Sequence, residues 1–352
     1  MTSIATTRGS DYACLSRQVK QAGLLRRRPG YYTAKVVLTL GPFVAGWAGF
    51  VLLGRTWYQL LVAAFLGVAF TQVAFLGHDA GHRQIFATRH ANDLLGLLNG
   101  NLLVGLSFGW WIDKHNRHHA HPNTEGADPD IGEGVFAFTS AQAGRRTSAV
   151  GRLMARKQAW LFFPMLLLEG LNLHVAGVRA LLDKSRRHRA RPVEAALLLV
   201  HGGAYLTAVF LVLTPMQGIA FIAVQQGLFG LYMGASFAPN HKGMPILSAD
   251  DQIDYLRRQV LTSRNVRGGR FTDYVLGGLN YQIEHHLFPS MARPHLRKVA
   301  PLVAAHCLAE GVPYTQTSLW NAYRQVVAHL NTVGLAGQDP FLCPLVAGRR
   351  AL

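Results

Sequence analysis

Long apolar runs alternate along this chain with short basic clusters. Lys35 and Arg55 enclose VVLTLGPFVAGWAGFVLLG, and Arg55 and Asp79 enclose TWYQLLVAAFLGVAFTQVAFLGH. From Glu194 to Lys242 no Asp, Glu, Lys or Arg intervenes. A helix that crosses a bilayer needs about 20 largely uncharged residues. The last stretch therefore suits two helices, broken at TPMQG (214–218), where Pro and Gly interrupt the pattern. The pattern predicts four spans, about 36–53, 56–77, 195–213 and 218–238.

Two more apolar segments are less regular. One is LLGLLNGNLLVGLSFGWWI (94–112), and the other is QAWLFFPMLLLEGLNLHVAGV (158–178), with Pro164 and Glu169 inside it. A carboxylate in hydrocarbon is costly. Both segments are expected to be interfacial or re-entrant, and Trp110, Trp111 and Trp160 suit an interface.

Charge orients these elements. Half of the 352 residues are hydrophobic and 15% are charged, yet the formal net charge is +17. The basic residues cluster in the N-terminal region (Arg26, Arg27, Arg28), the middle loop (Arg145, Arg146, Arg152, Arg156, Lys157, Arg186, Arg187) and the C-terminal region (Arg257, Arg258, Arg264, Arg297, Lys298). The two short hairpin loops hold only Arg55. By the positive-inside rule both termini and the middle loop are cytoplasmic. The expected organisation is a cytoplasmic segment 1–35, an integral domain 36–310 and a cytoplasmic segment 311–352. The spans argue against a nucleic-acid binder, and the basic clusters suit anionic lipid, CoA phosphates or an acidic electron carrier. Cys14, Cys307 and Cys343 form no CxxC pair, which argues against a disulfide framework and a zinc ribbon. No secretory signal is evident at the polar, then basic, N-terminus.

The histidines carry the candidate chemistry. HDAGH places His78 and His82 four residues apart at the end of the second span, on one helical face. In WWIDKHNRHHAHPN, His115, His118 and His119 again share one face, and Pro122 discourages the helix from continuing past His121. NYQIEHHLFPS brings His285 and His286 with Gln282, and FAPNHKGMP puts Asn240 and His241 just past the fourth span. Asp79, Asp113 and Glu284 are either solvated charges or partners that orient imidazoles. His90, His121 and His295 read as surface or supporting residues. His174 and His201 read as hydrogen-bonded inside the bundle, and His188, His306 and His329 as solvated.

The clusters fall on one side of one membrane only if 94–112 and 158–178 do not cross it. Eight imidazoles exceed what one zinc needs. Two metal ions sharing about eight nitrogens fit better, and imidazole suits zinc, copper, iron or nickel.

HDAGH, HNRHH and QIEHH, in that order around four spans, make the chain resemble the membrane fatty acid desaturases over roughly residues 36–310. The resemblance implies an all-α integral membrane fold, with four transmembrane helices and a cytoplasmic helical cap holding a histidine-rich di-iron centre. It carries the ligand role onto His78, His82, His115, His118, His119, His285 and His286, with His241 as the best match for a further ligand. Asn240 and Gln282 would be weak ligands or hydrogen-bonding supports. The first box's three intervening residues and the Gln that opens the third are similar to the bacterial acyl-lipid, front-end and linoleoyl-CoA-type branch, and unlike animal stearoyl-CoA desaturases.

The activity so implied is O2-dependent insertion of a cis double bond into an acyl-CoA or acyl-lipid chain, in a bacterial cell membrane. No HPGG haem motif occurs in the sequence. Two electrons are therefore expected from a separate donor of ferredoxin, rubredoxin-like or flavin-reductase type. An apolar channel would choose the carbon that reacts, with Phe70, Phe75, Trp110, Trp111 and Phe237 as candidates to line it. The rival readings are a di-iron hydroxylase or ketolase on the same scaffold and, more remotely, a metal-cation transporter. The transporter should carry its ligands near the membrane midplane, whereas these histidines lie at span ends and in loops.

Overall fold

A computed structural model describes residues 10–183 and 190–336. His188, Arg186, Arg187 and Cys343 lie outside the described residues. Helix α1 (Ser10–Gln21) precedes the long α2 (Pro29–Leu53) and α3 (Gln59–Gly81). Helix α4 (Arg89–Leu97) runs on through a π-helical turn, Leu98–Val104, and α5 is Phe108–Ala120. The short α6 (Ser140–Gly144) leads to α7 (Ala149–Leu166) and α8 (Glu169–Leu182), then to the long pair α9 (Arg191–Val212) and α10 (Pro215–His241). The remainder is α11 (Tyr255–Leu261), β1 (Asn265–Arg267), α12 (Arg270–Val275), α13 (Gln282–Leu287), α14 (Arg293–Ala309), β2 (Gln316–Ser318) and α15 (Leu319–Ala336). β1 and β2 pair in parallel.

Helices α2, α3, α9 and α10 are long and apolar enough to cross a membrane. They are the four expected spans with shifted ends: α2 and α9 start earlier, α3 starts later and runs further, and α10 is longer at both ends. Pro29 and Pro215 start helices instead of breaking them, because proline's missing N–H costs nothing in the first turn. At 214–218 the break falls before the proline. Thr214 accepts from the Gln217 N–H, and the Gln217 side chain accepts from the Thr214 N–H, a reciprocal cap that begins α10. The bundle centres on α3, which is apolar on every face and packs against α2 and α10. Helix α9 buries only Glu194 and Val209, so nearly all its apolar surface faces outward, as lipid contact requires.

The two irregular segments are both sharply bent. The helical stretch ending at Val104 turns by 114° into α5, and α7 turns by 85° into α8. His82, just after α3, and His115, on α5, bring ring nitrogens within 2.9 Å. A chain that leaves at 82 and is back at 115 has not crossed the bundle, so 94–112 dips in and returns. The α7–α8 pair is bent in a similar way, and its second arm runs to that same end. Glu194 on α9 accepts from the Gly109 N–H at the start of α5, and Arg191 donates to Leu181 O near the end of α8. Helices α8 and α9 therefore meet at the end of the bundle that carries α5.

A cap of α1, α11, α13 and α14 shares one apolar core that includes Leu15, Leu256, Ile283, Leu287, Val299 and Cys307. Helix α15 packs along α7 and α10, so residues 319–336 are joined to the membrane helices. Trp160 is 80% exposed, as an interface residue should be, but Trp111 turns inward and stacks on His115 with ring centres 4.5 Å apart.

Candidate metal centre

All eight histidines singled out in the sequence meet where the four-helix bundle joins the cap. His78 and His82 come from the end of α3, and His115, His118 and His119 from α5. His241 is the last residue of α10, and His285 and His286 lie on α13. Nitrogens of His78, His82, His115 and His285 lie within 4.8 Å of one another, and so do those of His118, His241 and His286. Each group could hold a metal ion. His119 sits between them. Its Nε2 is 3.1 Å from His115 Nε2, and its ring stacks on His286 at 4.2 Å.

The donor pattern fits cations. In the second group every Nδ1 is already engaged: His118 with Asp128 at 3.0 Å, His241 with Thr262 O at 3.0 Å and His286 with Gln259 Oε1 at 2.9 Å. That fixes each ring's tautomer and aims its Nε2 inward. Among the described residues, Nε2 of His78, His285 and His286 and Nδ1 of His119 are buried with no hydrogen-bond partner. Buried polar atoms are seldom left so. Burial, and then the neighbouring imidazoles, hold His115, His119, His285 and His286 well below the usual imidazole range. They stay neutral, which is the form a metal binds.

Gln282 and Asn240 stand beside the second group. The Gln282 side-chain nitrogen lies 2.9 Å from His241 Nε2, and Asn240 donates to Gln282 Oε1 at 3.2 Å. Both side chains are buried. Of the three acidic neighbours, Asp79 and Glu284 are buried, whereas Asp113 is exposed and pairs with Arg117. Asp79 meets Arg293 at 2.7 Å, and Arg293 also donates to Phe75 O, tying α14 to α3. Glu284 accepts from Tyr314 and Asn265 at 2.7 Å each, and burial pushes its carboxyl up to about 7.

The pattern of the chain did not disclose Asp128 or Asp130. Asp128 takes the His118 Nδ1 proton on one side, and the backbone N–H groups of Asn123 and Asp130 on the other. Asp130 pairs with Lys114, and that cation together with His118 and Lys242 holds its carboxyl far below the usual range despite burial. The signal was present in DPD following HHAHPN, because a Pro-led turn can bring its carboxylates back to the preceding helix. His306, read as solvated, proves buried because α14 turns it into the cap, and His295, read as surface or supporting, is buried there too. His90 and His121 are exposed, and His121 pairs with Arg258. His174 and His201 hydrogen-bond backbone carbonyls within the bundle.

An apolar cavity of about 450 Å³, counting its open mouth, reaches His78 from the membrane side. Phe75, Trp111 and Phe237 line it with Ala74, Val104, Leu106 and Met233. Phe70 packs in the core with Phe43 and Phe229, and Trp110 is not in the lining.

Four helices long and apolar enough to cross a membrane, two clusters of imidazoles at one end of them and an apolar cavity leading to the first fit an integral membrane enzyme with a histidine-built metal site. The sequence profile of the family described as fatty acid desaturase matches residues 55–318, and the chain belongs to that family. It is 28% identical over 342 residues to Delta(8)-fatty-acid desaturase 2 of Arabidopsis thaliana, covering 94% of this chain and 76% of that one. It is 33% identical over 313 residues to a Delta(5) fatty acid desaturase of Caenorhabditis elegans (86% and 69%) and 31% identical over 319 residues to a Delta(8)-fatty-acid desaturase of Euglena gracilis (86% and 74%). The protein is a membrane oxidoreductase that introduces a double bond into fatty acyl chains.

Proposed function

We propose that two iron ions are the metals of this centre, one held by His78, His82, His115 and His285 and the other by His118, His241 and His286, with His119 completing the set between them. The observation that carries this reading is the pair of adjacent imidazole groups, the first of which meets an apolar cavity through His78. An all-nitrogen donor set with neutral rings suits iron, and iron when bound would supply the activation of O2 and the removal of hydrogen from an unactivated methylene. Asn240 donates to Gln282 Oε1, and the Gln282 side chain lies beside His241 Nε2, the atom that would hold iron, so both stand at the edge of the site as supporting residues. Asp128 holds His118 in one tautomer.

The protein's other contribution is placement. An acyl chain of a CoA ester or membrane lipid lies in the cavity between Phe75, Trp111 and Phe237 and brings two adjacent carbons to His78. The apolar walls exclude water there and limit the chain to the bent shape that gives a cis double bond. O2 takes up the two hydrogens and two supplied electrons, with two protons, and leaves as water. The electrons come from a donor protein of ferredoxin or flavin-reductase type, to which the strongly cationic cap is complementary. The basic bias supports a topology with both termini and all the histidine clusters in the cytoplasm.

Mass spectrometry of host lipids with and without expression tests this. Acyl chains lighter by two hydrogens are expected. A gain of one oxygen would make the protein a hydroxylase or ketolase instead.

A further inference from the structure

The tip of the 94–112 segment meets helices α8 and α9 inside the bundle. The π-helical turn ends at Gly105, which is left-handed (φ 80°), and this leaves the carbonyls of Leu102 and Gly105 outside the helix ladder. Such carbonyls are not tolerated bare in hydrocarbon. His201 on α9 donates from Nδ1 to Leu102 O at 2.8 Å, and His174 on α8 donates from Nδ1 to Gly105 O at 2.8 Å. The second nitrogen of His174 lies 3.2 Å from the Gln226 side chain on α10. The two rings grip the tip closely. A Cβ on residue 105 would come within 2.4 Å of His201 and 3.1 Å of His174, so only glycine fits. With both Nδ1 atoms spent on carbonyls and the rings 6.5 Å apart, these histidines are a latch and not a further metal site.

The latch lies deep. His201 is about 15 Å along α9 from its start at Arg191, and Gln226 is about 22 Å along α10 from His241, at 1.5 Å per residue. The residues flanking Gly105 are Val104 and Leu106, and both line the cavity that reaches His78. Val104 is fully buried and Leu106 nearly so, in one core with Phe70 and Phe229.

We propose that the tip Leu102–Leu106 is the floor of the acyl cavity, and that His174 and His201 are positioning residues that hold this floor at a fixed depth below the histidine centre. They thereby set how much acyl chain fits beyond the carbons that react. The inference rests on the reading that the cavity takes the acyl chain. A neutral imidazole suits the task, because it gives a directed N–H to a buried carbonyl without bringing a charge into the membrane.

The test is the product profile of cells expressing the full chain and fed saturated fatty acids of graded length, with metal content measured on the purified protein. His174→Leu and His201→Leu should shift the products toward longer chains at unchanged metal content. His174→Asn and His201→Asn, which keep an N–H donor near the position of Nδ1, should restore the wild-type profile. Leu106→Ala should shift it the same way as the Leu variants, and Leu106→Trp toward shorter chains. A wild-type profile in active Leu variants, or a shifted profile in the Asn variants, overturns the latch. Where the Leu variants do not accumulate, the Asn variants and the Leu106 pair decide, and an unchanged profile in both Leu106 variants overturns the floor. A wild-type chain that forms no double bond fells the functional reading as well, whereas a desaturating wild type with insensitive variants fells this inference alone.

Discussion

Asp128→Asn is a sharp probe of the metal centre, because the substitution keeps the shape and removes one interaction set. The Asp128 carboxylate lies 3.0 Å from His118 Nδ1 and also accepts the backbone N–H groups of Asn123 at 2.7 Å and Asp130 at 2.8 Å. An amide has one accepting oxygen. Whichever way Asn turns, its NH2 faces a donor, and one buried N–H loses its partner. Loss of such a carboxylate behind a ligating imidazole lowers metal affinity or activity by about 10–100-fold, or about 1.4–2.7 kcal/mol. His118 belongs with His241 and His286, whereas His78, His82, His115 and His285 form the other group and do not touch Asp128. The expected result is therefore selective. In a chelator titration of purified protein, one of two irons per chain should leave Asp128→Asn at a chelator concentration 10–100-fold lower than in wild type, by the same principle, while the other is unmoved. Wild-type retention of both ions would refute the orienting role. Equal loss of both would show that Asp128 supports the cap as a whole.

Metal analysis of protein expressed in iron-rich medium under anaerobic conditions should find two irons per chain, and one zinc with no iron would overturn the two-iron reading. His118→Ala and His285→Ala should each abolish desaturation while leaving membrane insertion intact, since the spans form on their apolarity alone; turnover in either variant would remove that residue from the ligand set. Arg293→Met leaves Asp79 buried without its cation and should cost about 3–5 kcal/mol of stability, read by denaturant melting. Asp79→Leu with Arg293→Met should recover part of that loss, and a double variant as unstable as the single one would contradict the account. In a Cys-free background, Asn116→Cys and Ser148→Cys, both exposed, should be shielded from an impermeant thiol reagent in intact cells, while Arg55→Cys reacts; Thr124 is buried and would report poorly. Labelling of Asn116→Cys from outside would reverse the proposed orientation.

The sequence by itself determined the spans and the eight histidines. Both are written in local chemistry: a helix in a bilayer must be apolar over its whole length, and imidazoles at i, i+3 and i+4 share a face whatever surrounds them. Its reading of 94–112 as interfacial or re-entrant agrees with the close approach of His115 to His82. Helix ends were legible only to within one or two turns, since Pro29 and Pro215 can start a helix as readily as break one. What surrounds the site was decided by the tertiary structure alone. Asp128 reaches His118 across ten residues, Arg293 reaches Asp79 across more than two hundred, and His174 and His201 reach carbonyls of a turn 69 and 99 residues away. No periodicity marks such partners. A buried carboxylate, a capped carbonyl or a gripped glycine owes its role to the low-dielectric place where distant segments meet, and that place exists only once the chain has folded.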